Sequence, residues 1–271
     1  MTRPLDSVTP SEVDFYQQNG YIQYPSFFSA TEIAPLRAAI DHAVATGRDR
    51  ILGAEDGGRH GADYERVFNQ MLNLWTDYPD ARAVTFNPRL SDTARRLSGS
   101  PHVRLYHDHA MVKPAGQASR QTQWHQDAPF WPMDPVGSLA AWIAVDDVTT
   151  ENGCIQFVPG SHRFGKLADI NPYHLEVEGE SICDRMKAMG HTLADPVAME
   201  MEAGGVTFHH SCTFHRAGPN RSDRPRRAFS IIYVPEWVRF TGEWNAGNTP
   251  AEELEVGGQW DHPNHPILSP T

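Results

Sequence analysis

Apolar positions along this chain recur at two different periods, and the period changes near residue 100. In the first hundred residues the spacing is helical. Thr9-Pro10-Ser11-Glu12 reads as a capping box with proline at the first helical position, which predicts a short helix ending near Gly20. The same device recurs from Ser29 to Glu32. It opens a helix over roughly 32–46 with Ile33, Leu36, Ile40 and Val44 on one face and Gly47 as a left-handed cap. Between the two helices, GYIQYPSFF reads as a short strand or extended segment. A third helical region is expected from about Tyr64 to Leu97, broken near Tyr78-Pro79 and Asn87-Pro88, where proline forbids continuation.

From Val103 onward the chain changes to short β-like runs: RLYHDHAMV, TQWHQD, LAAWIAV, CIQFVP, GVTFHHSCTFH and RAFSIIYVP, separated by Gly, Pro, Asn and Asp. Helices first and strands afterwards predict an α+β fold, mainly β, with helices bracing one face of a barrel or sandwich. The polar stretch between Gly165 and Pro196 reads as an excursion over the barrel mouth. Beyond Pro235 the chain, rich in Gly, Asn, Pro and Glu, is expected to be an irregular tail on the surface. There is no internal repeat. The whole is read as a single domain over 1–271: a helical part about 1–100, a β core about 101–236 and a tail 237–271.

Composition narrows the function. The hydrophobic fraction of 39% contains no apolar run of the eighteen or so residues a membrane span needs, and MTRPLDSVTPSE lacks the features of a secretory signal. No membrane role and a cytoplasmic location are expected. A formal net charge of −11 argues against a nucleic-acid partner. Cys154, Cys183 and Cys212 lack metal-site spacing and read as reduced thiols. Fourteen histidines keep metal chemistry and proton transfer in view.

His125-Gln126-Asp127 ends a β-like run, and the two-residue period of a strand puts its imidazole and carboxylate on one side. Fe(II) in oxygenases is held by two histidines and one carboxylate on one face of an octahedron, so a third ligand is needed. Alone, the tripeptide is better explained by a buried His hydrogen-bonded to an Asp. The late segment GGVTFHHSCTFHRAGPNRSDRPRRAFSIIYVP adds histidines at 209, 210 and 215. Alternation places His209 and His215 on one face, and a hairpin through AGPNRSD would bring Arg226 back towards the metal. A dicarboxylic co-substrate that chelates iron through its 2-oxo acid end needs a bidentate cation for its far carboxylate, which suits Arg better than Lys.

The segments KPAGQASRQTQWHQD, VTTENGCIQFVPGSH and FHRAGPNRSDRPRRA, with FYQQNGYIQYPSFFS near the N-terminus, resemble the phytanoyl-CoA dioxygenase family of iron and 2-oxoglutarate oxygenases. The resemblance implies a double-stranded β-helix (jelly-roll, cupin-like) core. It also implies Fe(II), 2-oxoglutarate and O2 as cofactors, with His125, Asp127 and His215 as catalytic metal ligands and Arg226, eleven residues beyond His215, as the co-substrate anchor. Trp142, which reads equally as a core aromatic, and, more loosely, His109 are implied near the co-substrate. Where relatives carry Gly-Ser after the distal histidine, this chain has Arg216-Ala217, so a hydroxyl that helps hold the far carboxylate is missing.

Other clusters have two readings each. His107-Asp108-His109 could present two imidazoles to a second metal or supply pocket polarity. His209 could replace His215 as ligand, and Arg227 could replace Arg226, though alternation turns Arg227 to the opposite face. Phe130, Trp131 and Met133 could line the substrate pocket or simply pack. The implied activity is hydroxylation of a C–H bond in a small-molecule metabolite with release of succinate and CO2, by a monomer or homodimer. With Asp127 present no ligand position is left for halide. A silent metal- or 2-oxoglutarate-binding module, and a jelly-roll isomerase or binding protein without 2-oxoglutarate, remain as alternatives.

Overall fold

A computed structural model describes residues 8–47, 69–116, 121–167, 182–243 and 249–268. Helix α1 (Pro10–Asn19) starts at the Thr9–Glu12 capping box, and Gly20 ends it at φ 77°, a conformation that costs glycine nothing. After strand β1 (Tyr21–Tyr24), helix α2 (Ala30–Thr46) opens on the Ser29–Glu32 capping box. Gly47 differs from expectation: its φ is −110°, not left-handed, and it closes the helix with one N–H bond to the Ala43 carbonyl.

Residues 64–68 of the expected third helical region lie outside the described residues. Asn69–Leu72 is not helical but forms strand β2, paired antiparallel with β3 (Val103–Lys113) from Asn69 opposite Val112 to Leu72 opposite His109. A neighbouring strand with open hydrogen-bonding groups outweighs the local pattern there. Helices α3 (Pro79–Thr85) and α4 (Pro88–Ser98) follow, each with proline in its first turn, where the missing N–H costs no helical bond.

The remaining strands are β4 (Thr122–His125), β5 (Met133–Asp134), β6 (Leu139–Ala144), β7 (Ile155–Phe157), β8 (Val197–Ala198), β9 (Val206–His210), β10 (His215–Ala217), β11 (Arg226–Pro235) and β12 (Arg239–Phe240). A six-stranded sheet runs β1-β9-β6-β11-β3-β2 and a four-stranded sheet β4-β10-β7-β8. The chain alternates between them. GVTFHHSCTFH is therefore two strands, β9 in the large sheet and β10 in the small one, joined by a turn. The expected hairpin between His215 and Arg226 is also absent: β10 pairs with β4 and β7, β11 with β3 and β6. The glycine- and proline-containing turn, with Arg221, Asp223 and Arg224 exposed, carries the chain along the surface from one sheet to the other instead of folding it back within one.

The outer face of the large sheet is covered by helices, with Ile33, Leu36, Ile40, Leu90 and Leu97 packed on Leu105, Ala141, Ile143, Phe208 and Ile231. Between the sheets lies a second apolar cluster with Tyr21, Trp142, Cys154, Phe157 and Ala228. The chain beyond Pro235 is not confined to the surface. Trp260 is fully buried against Tyr106 and Phe240, and His265 is buried with its Nδ1–H donated to the Leu105 carbonyl at 3.0 Å. This stretch holds too few apolar residues to signal burial by periodicity, but its aromatics close one end of the sandwich. Of the expected excursion between Gly165 and Pro196, residues 168–181 lie outside the described residues; helix α5 (Ile182–Ala188) belongs to the rest.

Candidate metal centre

His125 is the last residue of β4, directly opposite His215 on β10. Asp127 lies just past the strand in helical conformation, with its amide donated to the Ser211 carbonyl at 2.9 Å. Gln126 points the other way, as the two-residue period requires. Its Nε2 donates to the Gly165 and Cys212 carbonyls, each at 2.8 Å, and its Oε1 accepts from the Leu167 amide at 3.0 Å. The ligand-bearing loop is thus fixed to two neighbouring loops.

One ligand atom each from His125, Asp127 and His215 lies within 4.8 Å of the others. Both Nε2 atoms are 3.6 Å from the same Asp127 oxygen, Oδ1. Three ligands on one octahedral face, each about 2.1 Å from the ion, would be about 3 Å apart, so the group needs only a small contraction. The Nδ1 atoms face carbonyls, His125 that of Gln123 at 2.8 Å and His215 that of Thr213 at 2.9 Å. A carbonyl can only accept, so Nδ1 carries the proton and Nε2 keeps its lone pair for a metal. Burial pushes both imidazoles down to about 4, and burial is opposed at Asp127 by His215 and His209, which hold its carboxyl well below the usual carboxylate range. At neutral pH this is two neutral imidazoles and a carboxylate, the ionisation a divalent metal requires.

His209, on β9, is not grouped with the ligand atoms. Its Nε2 lies 3.2 Å from the other Asp127 oxygen, Oδ2, so it reads as the residue that orients Asp127. His209 and His215 do come together, but not by alternation along one strand: their rings, 4.5 Å apart, meet across the gap between the sheets. In His107-Asp108-His109 the residues also separate. Asp108 is fully buried on the helix side, accepting from the Leu74 amide at 2.7 Å, the Trp75 amide at 3.1 Å and Thr85 Oγ1 at 2.6 Å. His107 and His109 face the interior, where each has a buried Nδ1 without a hydrogen-bond partner and feels the charge of Asp127. A bulge makes this possible: between the pairs Leu105–Tyr233 and Asp108–Ile231, β3 carries one residue more than β11, so Tyr106 and His107 are both buried.

Arg226 opens β11 and is 1% exposed, its Nε and Nη1 buried with no hydrogen-bond partner. Its guanidinium carbon lies 5.7 Å from the Trp142 ring centre. Ser230, on the same face and opposite His109, is four residues further along, roughly 13 Å of strand. A buried guanidinium without a matching anion is costly, so the two unpartnered nitrogens make Arg226 a candidate carboxylate anchor. Arg227 turns outward and is held by Asp41 at 2.6 Å and Asp146 at 2.8 Å. Of the three expected pocket residues, Phe130 is partly exposed with its ring 6.4 Å from that of His125. Trp131 and Met133 belong to the buried cluster with Tyr106 and Trp260.

Sequence reasoning did not single out Lys113. It is fully buried and directly opposite Arg226, and the signal that finds it is the strand register.

The profile of the phytanoyl-CoA dioxygenase family matches residues 16–228. A probable alpha-ketoglutarate-dependent hypophosphite dioxygenase from Stutzerimonas stutzeri is 30% identical, over 81% of this chain and 76% of its own. A methylphosphonate hydroxylase from Gimesia maris is also 30% identical, over 84% of this chain and 81% of its own. Among solved structures, a non-haem alpha-ketoglutarate-dependent carbocyclase from nogalamycin biosynthesis superposes with a TM-score of 0.78 at 26% identity, covering 99% of this chain and all of that one. The chain belongs to the phytanoyl-CoA dioxygenase family and is an iron- and 2-oxoglutarate-dependent oxygenase.

Proposed function

We propose that this protein hydroxylates a C–H bond of a small-molecule metabolite, with iron held by His125, Asp127 and His215 and the far carboxylate of 2-oxoglutarate held by Arg226. The observation that carries the reading is the convergence of two proton-free Nε2 atoms on one Asp127 oxygen. The unpartnered Arg226 nitrogens support the anchor. Iron, once bound with 2-oxoglutarate and O2, supplies the oxidising power through loss of CO2 and formation of succinate. The residues of the chain do the rest. His125 and His215 would hold the metal through their Nε2 lone pairs. His209 holds the second Asp127 oxygen, so Asp127 stays a one-oxygen ligand. Trp142, beside Arg226, and Phe157, packed on the His209 and His215 rings, exclude water from the interior, and His107 and His109 offer polar atoms to a small substrate near the metal.

The alternation of strands between two sheets supports a double-stranded β-helix within a single domain. The names of the two 30% identical relatives favour a small oxyanionic substrate, and the two interior histidines are suited to one. Cyclisation is a second reading, supported by the likeness to the carbocyclase over 99% of this chain. It begins at the same C–H bond, and product analysis separates it from hydroxylation. The test of the reaction class is anaerobic titration with Fe(II) and then 2-oxoglutarate, following the visible charge-transfer band of the chelate. The band is expected in the wild type, absent in His215→Ala, and shifted to much higher 2-oxoglutarate in Arg226→Ala. Bound iron without a band in the wild type would refute the assignment.

A further inference from the structure

Lys113 is 0% exposed at the inner end of β3, and Arg226 is its direct partner on β11. Opposed residues of an antiparallel pair project to the same face, so a second basic side chain stands beside the guanidinium, inside the sandwich. The neighbours on either strand confirm the face: Val112 packs under the helices and Arg227 turns outward to Asp41 and Asp146. Its Nζ donates to the Ala217 carbonyl at 3.3 Å. Ala217 is two residues past the ligand His215, and its methyl side chain offers Arg226 no hydroxyl.

We propose that Lys113 is a second anchor for the far carboxylate of 2-oxoglutarate, donating from beside Ala217 while Arg226 donates from its unpartnered nitrogens. Two adjacent buried cations repel one another, and an arrangement of this kind is stable with both charged only when an anion lies between them. Without the anion the lysine is the group that yields, because an ammonium can lose its proton and a guanidinium in practice does not. Burial, reinforced by Arg226, pushes the Lys113 amine down to about 6. The other titratable groups that reach the pair are Cys154 and Asp146, both acting on Arg226. The arriving carboxylate restores the favourable partner, so Lys113 takes one proton from solvent as 2-oxoglutarate binds above that pH.

This inference rests on the function proposed above, and its test separates the two. The iron-loaded protein is titrated anaerobically by calorimetry with 2-oxoglutarate, and with 2-oxobutyrate, which keeps the chelating end and lacks the far carboxylate. Measurements at pH 8 in two buffers of different ionisation enthalpy give the protons exchanged. Wild type is expected to take up close to one proton per 2-oxoglutarate and fewer with 2-oxobutyrate. Lys113→Met should weaken 2-oxoglutarate by about ten- to a hundredfold, the worth of a charge-assisted hydrogen bond, and abolish the uptake. It should change 2-oxobutyrate binding less than about twofold and leave iron stoichiometry intact. Equal weakening of both acids, or no uptake in the wild type, would overturn the role of Lys113 while leaving the co-substrate assignment standing. Wild type that binds iron but neither acid would overturn both. Should Lys113→Met fail to fold, the wild-type proton count decides alone.

Discussion

Replacing Asp108 tests which way β3 faces, and the structure sets the size of the effect. The carboxylate is buried and accepts hydrogen bonds from two backbone amides, Leu74 and Trp75, and from Thr85 Oγ1. It ties the short helical turn at 74–76 and helix α3 to the strand that carries His107 and His109. Hydrogen bonds to a charged group contribute about 1.5–3 kcal/mol each, but removal also ends the cost of burying the charge, so the gross total is not realised. Asp108→Ala strands the buried Leu74 amide and Thr85 hydroxyl and the part-buried Trp75 amide, and should cost about 3–5 kcal/mol, the usual range when one partner of a buried charged network is deleted. Asp108→Asn keeps one acceptor oxygen and should cost about half as much. At ~2–4 °C per kcal/mol, Asp108→Ala melts about 10 °C lower. Denaturant unfolding of both variants gives the free energies, and Fe(II) titration at a temperature where they remain folded gives the metal affinity. Expected is a large loss of stability with iron binding changed less than about threefold. Iron binding lost without loss of stability would mean that Asp108 faces the metal and that the strand assignment is wrong.

His209→Ala removes the hydrogen bond that fixes the Asp127 carboxylate, and the affinity for Fe(II) should fall about 10–100-fold with little loss of fold, as read by chelator competition; unchanged affinity would refute the orienting role. Acid should destabilise the metal-free protein through its buried histidines. Burial, with His109, pushes His107 down to about 3, and burial pushes His109, His210 and His265 down to about 4, all from 6.5. Because these folded-state values are depressed, the unfolded chain binds more protons between pH 6.5 and the folded values. Stability is therefore fully present above 6.5 and falls as pH drops through that window, by up to ~1.4 kcal/mol per pH unit for each group. His265→Gln should reduce the slope of unfolding free energy against pH by about that amount between pH 6 and 4.5; an unaltered slope would show that the C-terminal segment leaves His265 in water.

The parts legible in the sequence are those fixed by neighbours along the chain. Capping boxes at Thr9 and Ser29 locate helix starts because every atom involved lies within four residues. The two-residue spacing of His125 and Asp127 at a strand end makes the pair legible, although Asp127 itself lies past β4 in helical conformation. What escaped depends on which strands meet. Asn69–Leu72 becomes a strand because β3 is beside it, and β9 and β10 separate because each completes a different sheet. Lys113 belongs with Arg226 through register, across more than a hundred residues, and Trp260 and His265 are buried by a cluster assembled from distant segments. Period and spacing carry no information about such meetings. The eleven-residue offset between His215 and Arg226 is informative, but the turn it spans crosses between sheets instead of reversing within one.

That crossing has a consequence for selectivity. His125 and His215 stand on the four-stranded sheet with Asp127 beside it, and Arg226 and Lys113 on the six-stranded one, so the span between the two groups is set by how far apart the sheets stand, not by a loop. Facing sheets pack roughly 10 Å apart, and Tyr21 and Phe157, one from each sheet, stack with ring centres 4.9 Å apart as a rigid spacer. The interior acts as a caliper with its jaws locked by the core. On the proposed assignment, a diacid one carbon longer or shorter than 2-oxoglutarate should bind more weakly, because the sheet spacing fixes the distance from the histidines to Arg226. The measure of the co-substrate would then be built into the packing, and loops at the mouth could change to admit new substrates without resetting it.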